Sequence, residues 1–407
     1  MDILYIANLV PYPLDGGGKI KTFASIQALS REHTVDLLCF YEKENLDEAE
    51  KVLKQYCRNV IMLPIRVTTS ENYGYILLQA VKSLLTSLPL CVYKYKQKGM
   101  EDAIQSIVAK NSYQIVYFNL LQIYSYRELI RKLLPKAKIV LDTQNCETQI
   151  FRRYAKESKN LIKKFYLLLE ATKLQRFESA SIQDADKLIL LSTEDRQILE
   201  KMVGKPLACE IIPIAVQEPD YVKTPQTIAS VQKPCILFLG TLTWAPNNEG
   251  MIWFMENVMP QLQDTLGDFS MFIVGKNPSD TLKALTGQYK NVTVTGYVDS
   301  VVPYFEKCDF MVVPLFVGSG QRVKIIESFS RGMPVVATSI GAEGLHYTDG
   351  QDILIANTAE EFLECIQRIC NADLRKKLSV GGRKLYEKYY SVKAVSRQLV
   401  AAVNDLQ

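Results

Sequence analysis

Histidine and tryptophan are the rarest residues of this 407-residue chain, with two of each. The histidines are His33 and His346, far apart in the sequence. A zinc site built on imidazoles or a Ser-His-Asp triad needs a histidine close to other ligands or to a nucleophile. We therefore predict no bound metal, no organic cofactor and no histidine-based hydrolase site.

The nine cysteines are not arranged in pairs. They are scattered singly, with no Cys-x-x-Cys motif, and several lie inside apolar runs typical of strands. Such cysteines are expected to be buried, reduced thiols, which are typical of a cytoplasmic protein.

Long apolar runs and strong charge imbalance are also absent. No run approaches the roughly 20 residues of a membrane-spanning helix, and the segment from Met1 to Leu9 reads as a strand, without the basic leader of a secretory signal. The net charge is +4 with dispersed basic residues, so no nucleic acid partner is predicted.

Strand-like and helix-like segments alternate along the chain, which predicts an α/β fold with parallel sheets. The alternation stops at residues 217–234, a stretch rich in Pro, Thr, Ser and Gln, and restarts at Cys235. The sequence therefore predicts two α/β units joined by a linker.

The clearest local pattern is strand, glycine turn, helix, strand over Phe310–Thr338. Backbone N–H groups at a helix N-terminus are unpaired and carry partial positive charge, so a phosphate is a natural ligand. Arg322 and Lys324 would add charge, and Glu327 suits a ribose diol. The alternative for the two cations is a solvated helix face. The candidate site includes the turn Gly318, Ser319 and Gly320, together with residues after neighbouring strands, namely Thr241, Asn247, Lys276 and Tyr297.

Two further segments in the first unit are candidate ligand contacts. Gly16, Gly17 and Gly18 could bring backbone N–H groups close to an anion or a sugar, or could form a flexible turn. Polar residues including Gln144 and Asn145 follow the strand Lys138–Asp142, where ligands bind in open α/β sheets. Thr143 or Asn145 could also cap one long helix that is predicted to begin near Glu147.

The segment Tyr73–Tyr95 is apolar and aromatic, with two interspersed lysines, Lys82 and Lys94, and a third, Lys96, directly after it. It fits a helix pair that covers the sheet, or a surface in peripheral contact with the inner face of a membrane.

Several motifs of the chain, taken together, resemble the family-4 retaining glycosyltransferases of the GT-B fold. They are Pro-x-Pro-x-x-Gly-Gly-Gly at 11–18, Gly-Thr-Leu-x-Trp-x-Pro-Asn at 240–247, Gly-Tyr-Val at 296–298, and Gly-Ser-Gly-x-Arg-x-Lys-x-x-Glu at 318–327. The resemblance implies two Rossmann-like domains facing a central cleft. Residues 1–210 would bind the acceptor, 211–390 would bind a nucleoside diphosphate sugar, and 391–407 would cross back to the first domain.

The resemblance also assigns roles to residues. Arg322 and Lys324 would neutralise the diphosphate, Glu327 would bind the ribose, and the loop at Gly16–Gly18 would lie near the donor phosphate and sugar. Two positions differ from the common pattern of the family. Ser319 stands where the first Glu of a Glu-x7-Glu pair is usual, as in a subgroup with Gly-Ser-Gly-x-Arg-x-Lys, and Gln144 stands where a histidine is frequent. Glutamine can donate a hydrogen bond but cannot become cationic.

The expected activity is transfer of a sugar, with retention, from a nucleoside diphosphate sugar to a hydroxyl of a glycan or lipid-linked acceptor. Arg322 and Lys324, with Gln144 and Asn145, are the predicted catalytic residues, and polysaccharide or glycoconjugate synthesis is the predicted setting. The alternatives are a nucleotide-sugar-binding protein with weak or no catalysis and a GT-B nucleotide-sugar epimerase.

Overall fold

The computed structural model describes residues 1–14, 16–67, 72–158, 160–223, 233–318 and 320–406, without the side chains of residues 73 and 157. Residues 224–232, half of the predicted linker, thus lie outside the described residues. Contacts along the chain define two compact units. The first consists of Met1–Ala215 and Val395–Gln407, and the second of Val216–Ala394.

The first unit is built on a seven-stranded parallel sheet of order β3-β2-β1-β4-β5-β6-β7. The strands are β1 Asp2–Ala7, β2 Thr34–Tyr41, β3 Asn59–Pro64, β4 Ile115–Asn119, β5 Lys138–Asp142, β6 Lys187–Leu190 and β7 Cys209–Ile211. The helices are α1 Gly17–Leu29, α2 Leu46–Leu53, α3 Tyr73–Leu84, α4 Leu90–Tyr93, α5 Lys98–Lys110, α6 Arg127–Leu133, α7 Glu147–Glu157, α8 Leu161–Asp184 and α9 Thr193–Val203, with a 3-10 turn at Leu121–Tyr126.

The sequence explains this arrangement. Central strands of a parallel sheet are covered on both faces, so they need continuous apolar runs. Strand β1 meets this requirement because Ile3 through Ala7 are completely buried. It pairs with β2 on one side and β4 on the other. The carboxyl ends of these strands therefore lie along one edge of the sheet, where the candidate residues of this unit follow.

The second unit repeats the pattern with a six-stranded parallel sheet of order β10-β9-β8-β11-β12-β13. Its strands are β8 Cys235–Leu239, β9 Ser270–Val274, β10 Val292–Gly296, β11 Phe310–Val313, β12 Val335–Ala337 and β13 Leu354–Ile355. Its helices are α10 Ala245–Asn257, α11 Met259–Leu266, α12 Asp280–Thr286, α13 Val302–Lys307, α14 Val323–Ser330, α15 Ala359–Ile369 and α16 Ala372–Leu385, followed by a π-helical turn Tyr386–Tyr390. The last helix, α17 Val392–Asn404, belongs to the first unit from Val395 onward.

The expected α/β alternation is confirmed, but two predicted helices are each divided in two. The long helix expected from Glu147 is α7 followed by α8, and the Asn160 side chain accepts a hydrogen bond from the N–H of Lys163 and so begins the second helix. The sequence after residue 248 likewise predicts a single helix to about Leu262, and the structure has α10 followed by α11 instead. Pro260 lies in the first turn of α11 and has no N–H to continue the earlier helix.

The segment Tyr73–Tyr95 contains two different environments. Val92 and Tyr95 are buried, and Tyr95 belongs to the core of the first unit, as a helix that covers the sheet requires. Several side chains of α3 face solvent instead. Among the described residues, no helix combines the length and the apolarity needed to cross a bilayer.

The close packing of α10 against the second sheet depends on the glycine at position 250. A Cβ at this position of α10 would lie 2.0 Å from the carbonyl oxygen of Pro314, which follows β11. We expect Gly250→Ala to lower the free energy of unfolding by about 1–3 kcal/mol, because the helix must move away from the strand. Gly99→Ala in α5 is the matched control, since nothing lies within 4 Å of its Cβ position. Thermal unfolding of both variants is the measurement, and equal midpoints would contradict this account.

Candidate functional site

The N-terminus of α14 in the second unit holds Arg322. This residue caps the helix with an extended backbone and is buried, with 7% of its surface exposed. Its guanidinium carbon lies 5.4 Å from the centre of the Trp244 ring. A Cβ on Gly318 would be 2.6 Å from Nη2 of Arg322, and Gly318 has a φ of +121°. Glycine is therefore required at 318 to leave room for the arginine.

Lys324 lies in the first turn of the same helix. Its Nζ donates a 2.7 Å hydrogen bond to Oδ1 of Asn247 and lies 4.5 Å from the centre of the Phe238 ring. The Asn247 side chain is held in turn, because its Nδ2 donates to the carbonyl oxygen of Thr241 at 2.8 Å. A Cβ on Gly240 would lie 2.6 Å from the Lys324 Nζ. The loop after β8 thus fixes the direction of the ammonium group.

The electrostatic environment of Lys324 is unusual. Burial, and secondly the neighbouring Arg322 guanidinium, lower its pKa to about 7. Two cationic side chains at one helix N-terminus add to the partial positive charge of the helix amides. Such a cluster favours an anion, and the planar guanidinium matches the oxygens of a phosphate.

Glu327 lies one turn further along α14. Its carboxylate is 3.6 Å from the Arg331 guanidinium, and its side chain remains 24% exposed. Burial raises its pKa. A partly exposed carboxylate one helical turn after Lys324 has the chemistry needed to accept hydrogen bonds from a diol, as predicted for a ribose.

The other predicted donor contacts differ in their placement. Thr241 and Asn247 are joined to Lys324, as described above. Lys276 and Tyr297 follow β9 and β10 at the same edge of the sheet and are exposed. Ser319 lies outside the described residues, while Gly320 has a positive φ of 81°.

The first unit places Gly16–Gly18 at the start of α1 and Gln144 after β5. Gln144 is buried, and its Oε1 would be 3.1 Å from a Cβ on Gly18, so the two segments are in contact. The buried Nε2 of Gln144 has no hydrogen-bond partner among the described residues. Asn145 is partly exposed beside it. The Nε2 group of Gln144 is therefore available to donate a hydrogen bond to an acceptor atom of a ligand.

A buried polar network supports the glycine loop and was not predicted from the sequence. The Lys21 ammonium lies 2.5 Å from Oδ1 of Asp142, and the Tyr117 hydroxyl donates to the other carboxylate oxygen at 2.7 Å. The Thr22 hydroxyl lies 2.9 Å from Oδ1 of Asn119. The sequence feature that could have indicated this network is the pair of polar residues, Lys21 and Thr22, next to the apolar positions of α1. The network attaches the start of α1 to the ends of β4 and β5.

The helix cap predicted from Thr143 or Asn145 is wrong. Cys146 occupies the cap position and its side chain does not cap the helix. The buried carboxylate of Glu178, on α8, accepts hydrogen bonds from the N–H groups of Glu147 and Thr148 at 2.9 and 3.1 Å. Burial raises the pKa of Glu178 to about 7. A residue 31 positions away thus replaces the local cap.

Comparison with solved structures identifies the class of fold. The chain is similar to sucrose-phosphate synthase from Thermosynechococcus elongatus, with a TM-score of 0.71, 16% identity, and coverage of 100% of this chain and 99% of that chain. It is also similar to HepE from Anabaena in complex with UDP and glucose, with a TM-score of 0.65, 13% identity and full coverage of both chains. TarM gives a TM-score of 0.65 at 12% identity, over 99% of this chain and 98% of that chain. The fold is GT-B, as predicted.

The sequence of the second unit also matches the model of a known family. Residues 233–372 match the family model described as Glycosyl transferases group 1. This match, together with the GT-B neighbours, agrees with the resemblance to glycosyltransferases that the sequence motifs indicate. A relative from Klebsiella pneumoniae, described as an uncharacterized 44.6 kDa protein in the cps region, is 25% identical over 366 residues, which is 87% of each chain.

The lowered pKa of Lys324 predicts a pH dependence of stability. Between about pH 7 and the ordinary lysine pKa of about 10.4, the unfolded chain binds more protons at this side chain than the folded chain. The free energy of unfolding of the natural protein should therefore rise with pH across this window, relative to that of Lys324→Met. Denaturant unfolding of both proteins from pH 7 to pH 9 measures the difference. A difference that does not change with pH would contradict the lowered pKa.

Proposed function

We propose that the protein is a retaining glycosyltransferase that uses a nucleoside diphosphate sugar as donor. The observation that carries the proposal is the placement of Arg322 and Lys324 together at the buried N-terminus of α14. Asn247 holds Lys324 through a hydrogen bond. The absence of side chains at Gly240 and Gly318 leaves room for the two cationic groups. The group 1 family match and the solved HepE complexes with UDP and with UDP-glucose support it.

The proposed catalytic effect is electrostatic. Charge grows on the departing diphosphate as the bond to the sugar breaks, and fixed cations close to those oxygens lower the energy of the transition state. Arg322 and Lys324 are held in place before any ligand arrives, so little reorganisation is needed. The leaving phosphate would take the proton of the acceptor hydroxyl, and Glu327 would hold the ribose. The side chains supply the positive charge, and we propose that no metal is required.

The acceptor would be a hydroxyl of a glycan or of a lipid-linked glycan, bound by the first unit. Gln144 and Asn145, next to the loop Gly16–Gly18, would orient the reacting sugar through hydrogen bonds. The relative from a cps region supports a role in polysaccharide synthesis, and a TarM variant was solved with alpha-GlcNAc-glycerol and UDP. A cytoplasmic location is proposed because all nine cysteines are free thiols.

Arg322→Ala tests the central role of the cationic pair. We expect kcat to fall by about 10²- to 10³-fold, because one fixed charge next to the leaving group is lost. Arg322→Lys should restore part of the activity, since it keeps the charge without the planar fork. Transfer, or slow hydrolysis of the donor, is measured in the presence of EDTA, with nucleotide sugars first chosen by the thermal stabilisation that they give.

Arg368→Ala is the matched control, because this arginine of the same unit is about half exposed and pairs only loosely with Glu364 at 3.7 Å. It should retain normal turnover.

Near-normal turnover by Arg322→Ala would contradict the assignment of this residue. Activity that is lost with EDTA and restored by a divalent cation would contradict the metal-independent mechanism. A protein that is stabilised by a nucleotide sugar but neither transfers nor hydrolyses it would be the binding protein of the alternative. Inversion at the anomeric carbon, detected by NMR of the product, would contradict retention.

Proton uptake tests the part played by Lys324. A bound diphosphate should raise the pKa of this ammonium from about 7, so that binding at pH 8 takes up as much as one proton. Calorimetry of UDP binding in two buffers with different ionisation enthalpies measures this uptake. Lys324→Met should take up none. Binding without proton uptake by the natural protein would show that the diphosphate does not contact Lys324.

A further inference from the structure

The large apolar side chains that face solvent are concentrated on two helices of the first unit. Sixteen such side chains are strongly exposed in the described part of the chain; six lie from Tyr75 to Leu85 and four from Leu161 to Leu168. The most exposed are Leu85 at 87%, Ile162 at 82% and Leu161 at 79%. A soluble protein rarely exposes apolar side chains in such density unless the surface has a binding partner.

Both groups form helical stripes. Exposed residues of α3 and of the turn that follows it recur at 77, 78, 81, 84 and 85, and those of α8 recur at 161, 162, 165 and 168. Spacings of three and four residues place the members of each group on one face of a helix. This periodicity is typical of a helix that buries an apolar face, yet here that face is in contact with water.

The two stripes belong to one surface. The Lys173 ammonium, on α8, donates a 2.7 Å hydrogen bond to the carbonyl oxygen of Ser83 at the end of α3. The buried Glu170 accepts a 2.6 Å hydrogen bond from the N–H of Leu90. Between the helices lies a groove of about 740 Å³ whose apolar lining is Leu84, Leu88, Phe165, Leu168, Leu169 and Phe177.

The charged side chains of residues 72–96 and 160–176 that reach solvent have one sign. Lys82, Lys163 and Arg176 are exposed and Lys164 is partly exposed. Residues 72–96 contain no carboxylate, and the only one in residues 160–176 is the buried Glu170. Apolar side chains next to lysines and arginines are the chemistry that binds the acyl boundary and the negative headgroups of a lipid bilayer.

We propose that this two-helix surface, α3 with residue 85 and the first half of α8, docks the protein on an anionic phospholipid membrane. The surface differs from the sequence prediction in two respects. It does not include Val92 and Tyr95, which are buried, and it gains the apolar start of α8, which is distant in the sequence. The inference does not depend on the transferase activity, because none of these residues belongs to the proposed donor or acceptor site.

Sedimentation with lipid vesicles tests the proposal. The full chain should bind vesicles of phosphatidylcholine with about a third of phosphatidylglycerol and should bind pure phosphatidylcholine vesicles much more weakly. Lys163→Glu/Lys164→Glu should reduce binding to the anionic vesicles by at least about tenfold. Ile162→Ser/Phe165→Ser should reduce it by a similar factor through the loss of apolar burial. The four substituted side chains are exposed or partly exposed, so the thermal unfolding midpoints of the two variants should not fall.

Lys376→Glu/Lys377→Glu is the matched control, since these adjacent lysines are exposed on α16 in the second unit. This variant should bind the anionic vesicles within about twofold of the natural protein. Failure of the natural protein to bind anionic vesicles would overturn the proposal, as would equal loss of binding in the control. A concentration-dependent dimer in sedimentation velocity that Ile162→Ser/Phe165→Ser abolishes would also overturn it, because a second copy of the chain would then cover this face.

Discussion

The second unit depends on holding two cationic side chains side by side at one helix end. Like charges repel, and burial removes the water that would otherwise screen them. The protein holds them with side chains from the β8 region: the Asn247 amide oxygen and the Phe238 ring contact Lys324, and the Trp244 ring contacts Arg322. The loop after β8 therefore serves mainly to build the surroundings of residues that lie about 80 positions later in the chain.

In the first unit, a buried ion pair fixes the position of the glycine loop. Lys21 and Asp142 are almost completely buried and lie 2.5 Å apart, and Tyr117 satisfies the second carboxylate oxygen. A buried pair is weak evidence for stability, since desolvation offsets most of the attraction. Here the pair joins the first turns of α1 to the end of β5. Its physical consequence is a fixed position of Gly16–Gly18 relative to Gln144, and hence a defined place for whatever binds between backbone amides and this side chain.

Local patterns in the sequence were sufficient for the sheets and for the strand-turn-helix around Arg322. Continuous apolar runs predicted the buried strands, and the glycines at 318 and 320 predicted a turn that only positive φ angles allow. The failures have a common cause, which is a partner distant in the sequence. Glu178 caps α7 from 31 residues away, Asn247 holds Lys324 across 77 residues, and Asp142 pairs with Lys21 across 121 residues. The division between α7 and α8 was instead signalled locally by Asn160, a good helix cap.

Three features of the folded chain are unfavourable when the protein is alone in water, and each has a different remedy. The lowered pKa of Lys324 means that folding opposes its charge, and an anion would reverse this. The buried amide nitrogen of Gln144 lacks an acceptor among the described residues, and a sugar oxygen would provide one. The stripes on α3 and α8 expose leucine, isoleucine and phenylalanine, and acyl chains would cover them. Because folding alone favours none of these arrangements, each is the physical basis for one of the proposed ligands, a phosphate, a sugar and a lipid.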